Sequence, residues 1–212
     1  MYVKICGLRT AEATRRAVLS GADAVGVVMS ERSPRHATRE QAVEVIAVAR
    51  SEAAGGGRAV DAVLVVNRMP ALEAAGIARD LGFDVLQLHG AYSPDDFSAA
   101  RALIPRVWRA TSLERDPGLR ADEFGEERLL VDGAVPGSGE TWDLAALRSG
   151  TAARDRLGDR WLLAGGLDPG NVSSAIAATR PGGVDVSSGV ERAPGEKDPE
   201  LIERFIRAVR AS

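Results

Sequence analysis

Apolar and polar positions along the chain fall into two rhythms. Short β-prone runs begin near Tyr2, Ala24, Ala62, Val85, Arg106, Arg128, Trp161 and Val184, and within them side chains alternate with a period of two. Between them lie segments rich in Ala, Leu, Glu and Arg with helical spacing, at residues 11–20, 38–50, 70–81, 93–104, 171–179 and 199–210. The helical pattern is faintest after the fifth and sixth runs. Strict alternation of strand and helix predicts a parallel sheet, because parallel neighbours need a crossover of a dozen or more residues.

One junction recurs almost unchanged: Gly21-Ala22-Asp23-Ala24-Val25, Gly82-Phe83-Asp84-Val85-Leu86 and Gly183-Val184-Asp185-Val186. Each reads as a helix ending on a glycine and turning at once into a strand. Eight such units in 212 residues predict an α/β protein, a (β/α)8 barrel spanning residues 1–212 as one domain. An open doubly wound sheet is the alternative, but it favours a G-x-G-x-x-G after its first strand, and Gly7-Leu8-Arg9-Thr10 supplies none. Ala53-Ala54-Gly55-Gly56-Gly57 reads as a flexible helix-to-strand turn and not as a linker.

The two-residue period sorts the chemistry. In the first strand Val3 and Ile5 share one side and Lys4 and Cys6 the other; Gly7 then breaks the strand, and Thr10 can cap the following helix. The same parity sets Gln87 and His89 against Leu86 and Leu88, pairs Asp132 with Leu130, and sets Asp185 and Ser187 against Val184 and Val186. If the apolar faces pack on the helices, Lys4, Cys6, Gln87, His89, Asp132, Asp185 and Ser187 converge on the C-terminal mouth, where barrels build their sites. Cys6 is then a candidate general base. Plainer explanations stand beside each: a buried small hydrophobe for Cys6, a cap for Asp132, a space-filling hydrogen-bonding group for His89, a solvated loop for His36. Asp23 and Asp84 precede their strands and belong to the opposite end.

Composition narrows the function classes. Apolar residues make up 45% of the chain, ample for a core, and a net charge of −3 from 27 basic and 30 acidic residues leaves no basic block for nucleic acid. The N-terminus has no signal-peptide pattern and no apolar run reaches membrane length, so a cytoplasmic protein without membrane contact is expected. One cysteine cannot form an internal disulfide, and two distant histidines give no metal-ligand spacing.

Two glycine-rich turns, Ala164-Gly165-Gly166-Leu167 and Ser187-Ser188-Gly189-Val190-Glu191, follow the last two strands. Exposed backbone N–H groups there predict an anion site, hence a phosphorylated small-molecule substrate. These turns, with Val3-Lys4-Ile5-Cys6-Gly7, Gly21 to Gly26 leading to Ser33-Pro34-Arg35, Gln87-Leu88-His89-Gly90, and Leu130-Val131-Asp132 with Gly137-Ser138-Gly139, give a resemblance over essentially the whole chain. The sequence resembles phosphoribosylanthranilate isomerases of tryptophan biosynthesis.

The resemblance implies an Amadori rearrangement without a cofactor or metal, from a phosphoribosyl-anthranilate aminoaldose to its aminoketose, in a monomer or homodimer. Asp132 matches the general acid that protonates the ring oxygen, and Cys6 the base that takes the proton from C2 of the Schiff base. Cys6 is therefore expected to have a pKa below its ordinary value, lowered by the helix N-terminus and Lys4. Arg35 matches the residue that would hold the anthranilate carboxylate. Gly139, Gly165, Gly166, Ser187, Ser188 and Gly189 are expected around the phosphate, and Asp185 near the sugar hydroxyls.

Some positions depart from the family. Pro136-Gly137-Ser138-Gly139 replaces the usual Gly-Gly-Thr/Ser-Gly, Glu140 to Leu144 stand where Phe-Asp-Trp is common, and the third strand lacks a frequent phenylalanine. A sixth loop that closes differently and a modified anthranilate as substrate are the corresponding alternatives. A non-catalytic phosphate-binding barrel is another, separated by turnover. A histidine-pathway isomerase would want an aspartate where Cys6 stands, and a Schiff-base aldolase would want a lysine at a strand top, where only Lys4 and Lys197 are on offer.

Overall fold

Eight parallel strands close on themselves: β1 (Tyr2–Cys6), β2 (Ala24–Val28), β3 (Asp61–Val66), β4 (Val85–His89), β5 (Val107–Thr111), β6 (Arg128–Val131), β7 (Leu162–Leu163) and β8 (Gly183–Val186), each bonded to the next and β8 back to β1. The computed structural model describes residues 1–132, 144–148 and 150–212. Helices α1 (Ala11–Ser20), α2 (Arg39–Gly55), α3 (Ala71–Leu81), α4 (Pro94–Arg101), α5 (Ala152–Asp155), α6 (Val172–Thr179) and α7 (Pro199–Ala211) lie between and after the strands. This is the expected (β/α)8 barrel, with every strand beginning within a residue of its expected start.

Alternation along the strands makes two cores. Val3, Ile5, Leu64, Leu86, Leu88, Leu129, Val131 and Val184 point outward into the layer shared with the helices. Cys6, Ala24, Val63, Val65, Val85, Trp108, Ala110, Leu130, Leu162 and Ala164 fill the interior. On α7 the buried residues are Ile202, Phe205, Ile206 and Val209, one helical stripe in which each side chain contributes about 1.5–3 kcal/mol on burial.

Local chemistry sets the ends of the elements. Gly7 (φ 79°) ends β1 in a left-handed conformation, and the Thr10 side chain accepts from the Ala13 amide to start α1. Gly21 and Gly82 are left-handed caps of α1 and α3, as their junctions predict. The third junction differs: Arg180 caps α6, while Gly183 is already in β8, where a Cβ would stand 2.5 Å from the Tyr2 carbonyl oxygen. The letters match but the glycine serves close strand packing. α2 likewise runs on through Ala53 and Ala54 to Gly55, because alanine sustains a helix that the glycines then stop.

The crossover from β5 to β6, residues 112–127, contains no helix. Side chains hold it instead. Arg109 points outward from β5, places its guanidinium 3.7 Å from the Phe124 ring centroid and bonds Asp116 at 2.8 Å and Glu123 at 3.3 Å. Arg101 donates to the Phe124 and Gly125 carbonyls, and Arg156 to those of Pro117 and Leu119.

At the N-terminal end, Asp23 and Asp84 accept the Val3 and Ala62 amides, the structural role expected of them. Inside, a closed network forms the barrel floor. The Tyr2 hydroxyl donates to Asp61 at 2.6 Å, and Arg106 forks to Asp61 (2.6 and 2.9 Å) and Glu127 (2.9 and 3.1 Å). The Trp108 indole donates to Glu127, and Arg128 lies 4.2 Å over the Tyr2 ring. Burial opposes the charge of Asp61 and Glu127, but Arg106 outweighs it and holds both carboxyls below their usual range.

Candidate active site

A cavity of about 660 Å³ opens at the C-terminal ends of the strands, lined by Cys6, Arg35, Val65, Gln87, His89, Asp132, Asp185, Ser187, Ser188 and Glu191 among others. Cys6 reaches it because its neighbours are small. Cys6 pairs with Gly26 across β1 and β2, and a Cβ on Gly26 would come within 3.0 Å of the Cys6 Sγ and 3.2 Å of the Lys4 Cε. Lys4 lies one interior layer below, fully buried, with its Nζ 2.9 Å from Asp185 Oδ1. Burial works against the ammonium, but Asp185 and, when ionised, Cys6 outweigh it and raise its pKa.

Cys6 itself corrects an expectation. Its thiol pKa is raised, not lowered, because the side chain is 6% exposed and burial of a thiolate costs more than Lys4 and Lys197 return; Asp185 adds to the rise. Both lysines are outweighed by desolvation that only the packed barrel reveals.

Asp132 ends β6 in the same ring of side chains, 7% exposed, with its Oδ2 3.6 Å from the His89 Nε2. Burial, with Lys4 and Arg115, pushes His89 down to about 4, so it stands neutral beside Asp132 at the barrel top. His36 is half-buried and not solvated: its Nδ1 has no partner among the described residues, and the residue bridges to Val28. Gln87 is buried to 1%, lines the cavity, and its Oε1 has no hydrogen-bond partner among the described residues.

The loops after β7 and β8 meet at Gly189, where a Cβ would stand 1.8 Å from the Leu167 carbonyl oxygen. Gly165 (φ 85°) and Gly166 (φ 62°) give the β7 loop its left-handed turns. Ser187 and Ser188 line the cavity; Gly165, Gly166 and Gly189 are not in its wall and shape the loops behind it. Ser187 spends its hydroxyl on protein, donating to the Cys6 carbonyl at 3.2 Å. Gly139, with Pro136, Glu140 and Trp142, lies outside the described residues; Leu144 begins a short 3₁₀ turn, Leu144–Leu147.

Arg35 is at the mouth, but already paired. Its Nε and Nη2 donate to Glu191 at 2.7 and 2.9 Å, a side-on fork that uses two of five guanidinium donors. Glu191 begins a hairpin, β9 (Glu191–Ala193) and β10 (Glu196–Lys197), absent from the sequence reading. At its tip Gly195 has φ 81°, and a Cβ there would meet the Pro34 carbonyl oxygen at 2.3 Å, so the hairpin packs onto the loop that carries Arg35. The hairpin also returns Lys197 to the site, its Nζ 2.5 Å from Glu191 Oε1. Burial opposes the charge of Glu191, yet Arg35 and Lys197 hold its pKa down. Pro194-Gly195 between two short polar runs was the available signal for this turn.

Arg68 was missed as well. It lines the cavity with φ 70°, a left-handed conformation that costs a side-chain-bearing residue about 1–2 kcal/mol. Among the described residues no group of three or more His, Cys, Asp or Glu could hold a metal ion, and no helix is long and apolar enough to cross a membrane.

Residues 3–208 match the family described as N-(5'-phosphoribosyl)anthranilate (PRA) isomerase. An N-(5'-phosphoribosyl)anthranilate isomerase of Rhodopseudomonas palustris (strain BisB5) is 41% identical over 223 aligned positions, covering 100% of this chain and 97% of its own. The crystal structure of TrpF from Jonesia denitrificans superposes with a TM-score of 0.83 at 48% identity, covering 100% of this chain and 97% of that one. A phosphoribosyl anthranilate isomerase in complex with reduced 1-(o-carboxyphenylamino)-1-deoxyribulose 5-phosphate superposes with a TM-score of 0.80 at 33% identity over the full length of both chains.

Proposed function

Because this chain belongs to the N-(5'-phosphoribosyl)anthranilate isomerase family, an isomerase of tryptophan biosynthesis, we propose that its barrel mouth carries out the rearrangement with Asp132 as general acid and Cys6 as general base. Asp132 gives its proton to the ribose ring oxygen and the C1–O bond breaks, leaving a protonated Schiff base between C1 and the anthranilate nitrogen. That cation acidifies C2. Cys6, as thiolate, takes the C2 proton; the electron pair moves into the C1–C2 bond, and the resulting enolamine tautomerises to the ketone. Proton transfer of this kind contributes about 10²–10⁴-fold per group.

The observation that carries this assignment is the placement of Cys6 and Asp132 in the wall of one cavity, at the ends of β1 and β6. Arg35 presents its remaining donors to the substrate carboxylate from the loop after β2. The phosphate is assigned to the loops after β7 and β8, through Ser187, Ser188 and the amides that Gly165, Gly166 and Gly189 leave accessible, with Gly139 from the sixth loop. Asp185, tied to Lys4, faces the sugar. A related isomerase holds a reduced product analogue with the same phosphate and carboxyphenylamino ends. Domain extent follows: residues 1–212 act as one catalytic barrel.

Anthranilate fluorescence, followed on enzymatically generated phosphoribosylanthranilate, tests the assignment. Turnover by the parent and its loss in Cys6→Ser is the expected pair of results. Binding without turnover in the parent would leave a phosphate-binding barrel, and turnover in Cys6→Ser would strip the cysteine of its role.

A further inference from the structure

We propose that Lys197 is a positioning residue for Cys6, its buried ammonium supplying the positive charge that the thiolate balances. This rests on the assignment of Cys6 as the base. Of the 27 basic residues only two are lysines, and both are buried: the side chain of Lys4 is 0% exposed and that of Lys197 3%. A lysine ammonium is a compact point charge on a flexible stem.

The charge count is uneven. Among the described residues, Lys4, Lys197 and Arg35 stand against Asp185 and Glu191, linked by the Lys4–Asp185, Arg35–Glu191 and Lys197–Glu191 pairs. Within these pairs three positive charges face two negative ones while Cys6 is a thiol and Asp132 carries the proton it is assigned to donate; a thiolate makes the sum zero. His89 on β4 is neutral, and Asp132 lies across the mouth beside it, with Arg115 acting on His89 from the loop after β5. A buried surplus charge is costly, so the cluster favours one more anion in its midst.

The geometry ties that surplus to Cys6. Lys197 Nζ donates to the Ser187 carbonyl at 2.8 Å and its Oγ at 3.3 Å, and the same Oγ donates to the Cys6 carbonyl at 3.2 Å. Lys197 is itself fixed from behind: Asp198 caps α7 and returns its amide to the Val190 carbonyl at 2.9 Å, so the hairpin cannot drift without unseating the helix start. The lysine's charge works on Cys6 in the direction of the thiolate, and Glu191 and Cys6 in turn favour the ammonium, though burial raises the thiol and lowers the lysine.

Cys6 is the sole cysteine, so the ultraviolet absorbance of its thiolate can be titrated in the whole protein with Cys6→Ser as the blank. In Lys197→Met the thiolate fraction on the rising part of the curve should fall about tenfold or more, as expected for losing a nearby opposite charge. kcat at fixed pH should fall with it while KM moves less, and Lys197→Arg should restore part of both. Glu191→Gln, which leaves Lys197 unopposed, should move the titration the opposite way and guards against a Lys197→Met variant that fails to fold. A titration that superimposes on the parent in either folded variant overturns the proposal, even if turnover is lost, because a merely structural clip predicts that outcome. Turnover in Cys6→Ser would instead sink the base assignment, while the Lys197→Met titration still decides whether the lysine sustains the thiolate.

Discussion

The two ends of the barrel each bury a set of charges, and they are built differently. On the floor, Asp61 and Glu127 face Arg106 and Arg128, two against two, with Tyr2 and Trp108 donating into the same carboxylates. At the mouth the linked pairs set three cations, Lys4, Lys197 and Arg35, against two carboxylates, Asp185 and Glu191, around a thiol that burial holds protonated. On the floor each carboxylate is matched by a guanidinium. The mouth has a titratable thiol among its charges, and it also opens on a cavity. A balanced cluster stabilises, whereas an unbalanced one next to a titratable group is prepared to bind an anion or to move a proton.

The sharpest way to break this contrast is to remove a proton-transfer group. Asp132→Asn should lower kcat about 10²–10⁴-fold, with KM changed much less, because the acid is asked to act in the transition state. Steady-state kinetics at saturating substrate measures it, and near-parent turnover would take Asp132 out of the mechanism. Arg35→Ala comes next. The substrate carboxylate keeps its charge throughout, so its partner binds ground and transition states alike and the loss falls on KM. Truncating one member of such a pair costs about 2–5 kcal/mol, so KM should rise more than tenfold with kcat within a few-fold, and Arg35→Lys should recover only part. Part of that rise comes from Glu191, which keeps only Lys197 and the Gly195 amide when the fork is gone. Should Arg35→Ala bind substrate as the parent does, the carboxylate is held elsewhere, and Arg68 in the loop after the neighbouring strand β3 is the first place to look.

The floor should answer in the other currency. Asp61→Asn should destabilise the fold by about 1–3 kcal/mol in urea unfolding, the figure for hydrogen bonds to charged groups, and leave kcat near the parent value. A large loss of kcat in the folded variant would mean that the two ends are coupled. The smallest effect is the pH dependence, which separates the ends by sign. Asp61 and Glu127 have folded pKa values below their unfolded ones, so their stabilisation is complete above the usual carboxylate range and is lost as pH falls through it. Cys6 is shifted up, so the rising limb of kcat/KM should lie on the alkaline side of an ordinary thiol, activity increasing with pH. An acid-side limb in kcat/KM would show that the free enzyme does not hold the Cys6 thiol up, whereas one confined to kcat would show that substrate binding reverses the burial effect.

Which of this was legible in the sequence follows from what each signal depends on. Parity along a strand is local, so Val3 and Ile5 outside and Lys4 and Cys6 inside could be read directly, and with them the meeting of Cys6, Asp132 and Asp185. The floor network joins Tyr2, Asp61, Arg106 and Glu127 across four strands, and no spacing rule connects them. The hairpin that carries Lys197 has strands of three and two residues, too short and too polar to show a period. The direction of the Cys6 pKa depends on how completely the barrel excludes water, which residue type does not encode. Gly183 misled because one local pattern, glycine two residues before an aspartate, serves a helix cap in two places and strand packing in the third.

The missing helix between β5 and β6 gives the barrel wall a seam. After β1 to β4, β7 and β8 the strand is followed by a helix whose buried face must leave as a unit. Here the backing is a set of separate hooks from Arg101, Arg109 and Arg156, each about 1–3 kcal/mol, around a small apolar patch at Leu119 and Phe124. Hooks release one at a time. Amides in residues 112–127 should therefore exchange with solvent through local openings that leave the remaining strands paired, as a low-stability unit within a more stable whole. It is also a place where the chain can be cut and residues 1 and 212 joined, since new termini there interrupt no helix and no strand.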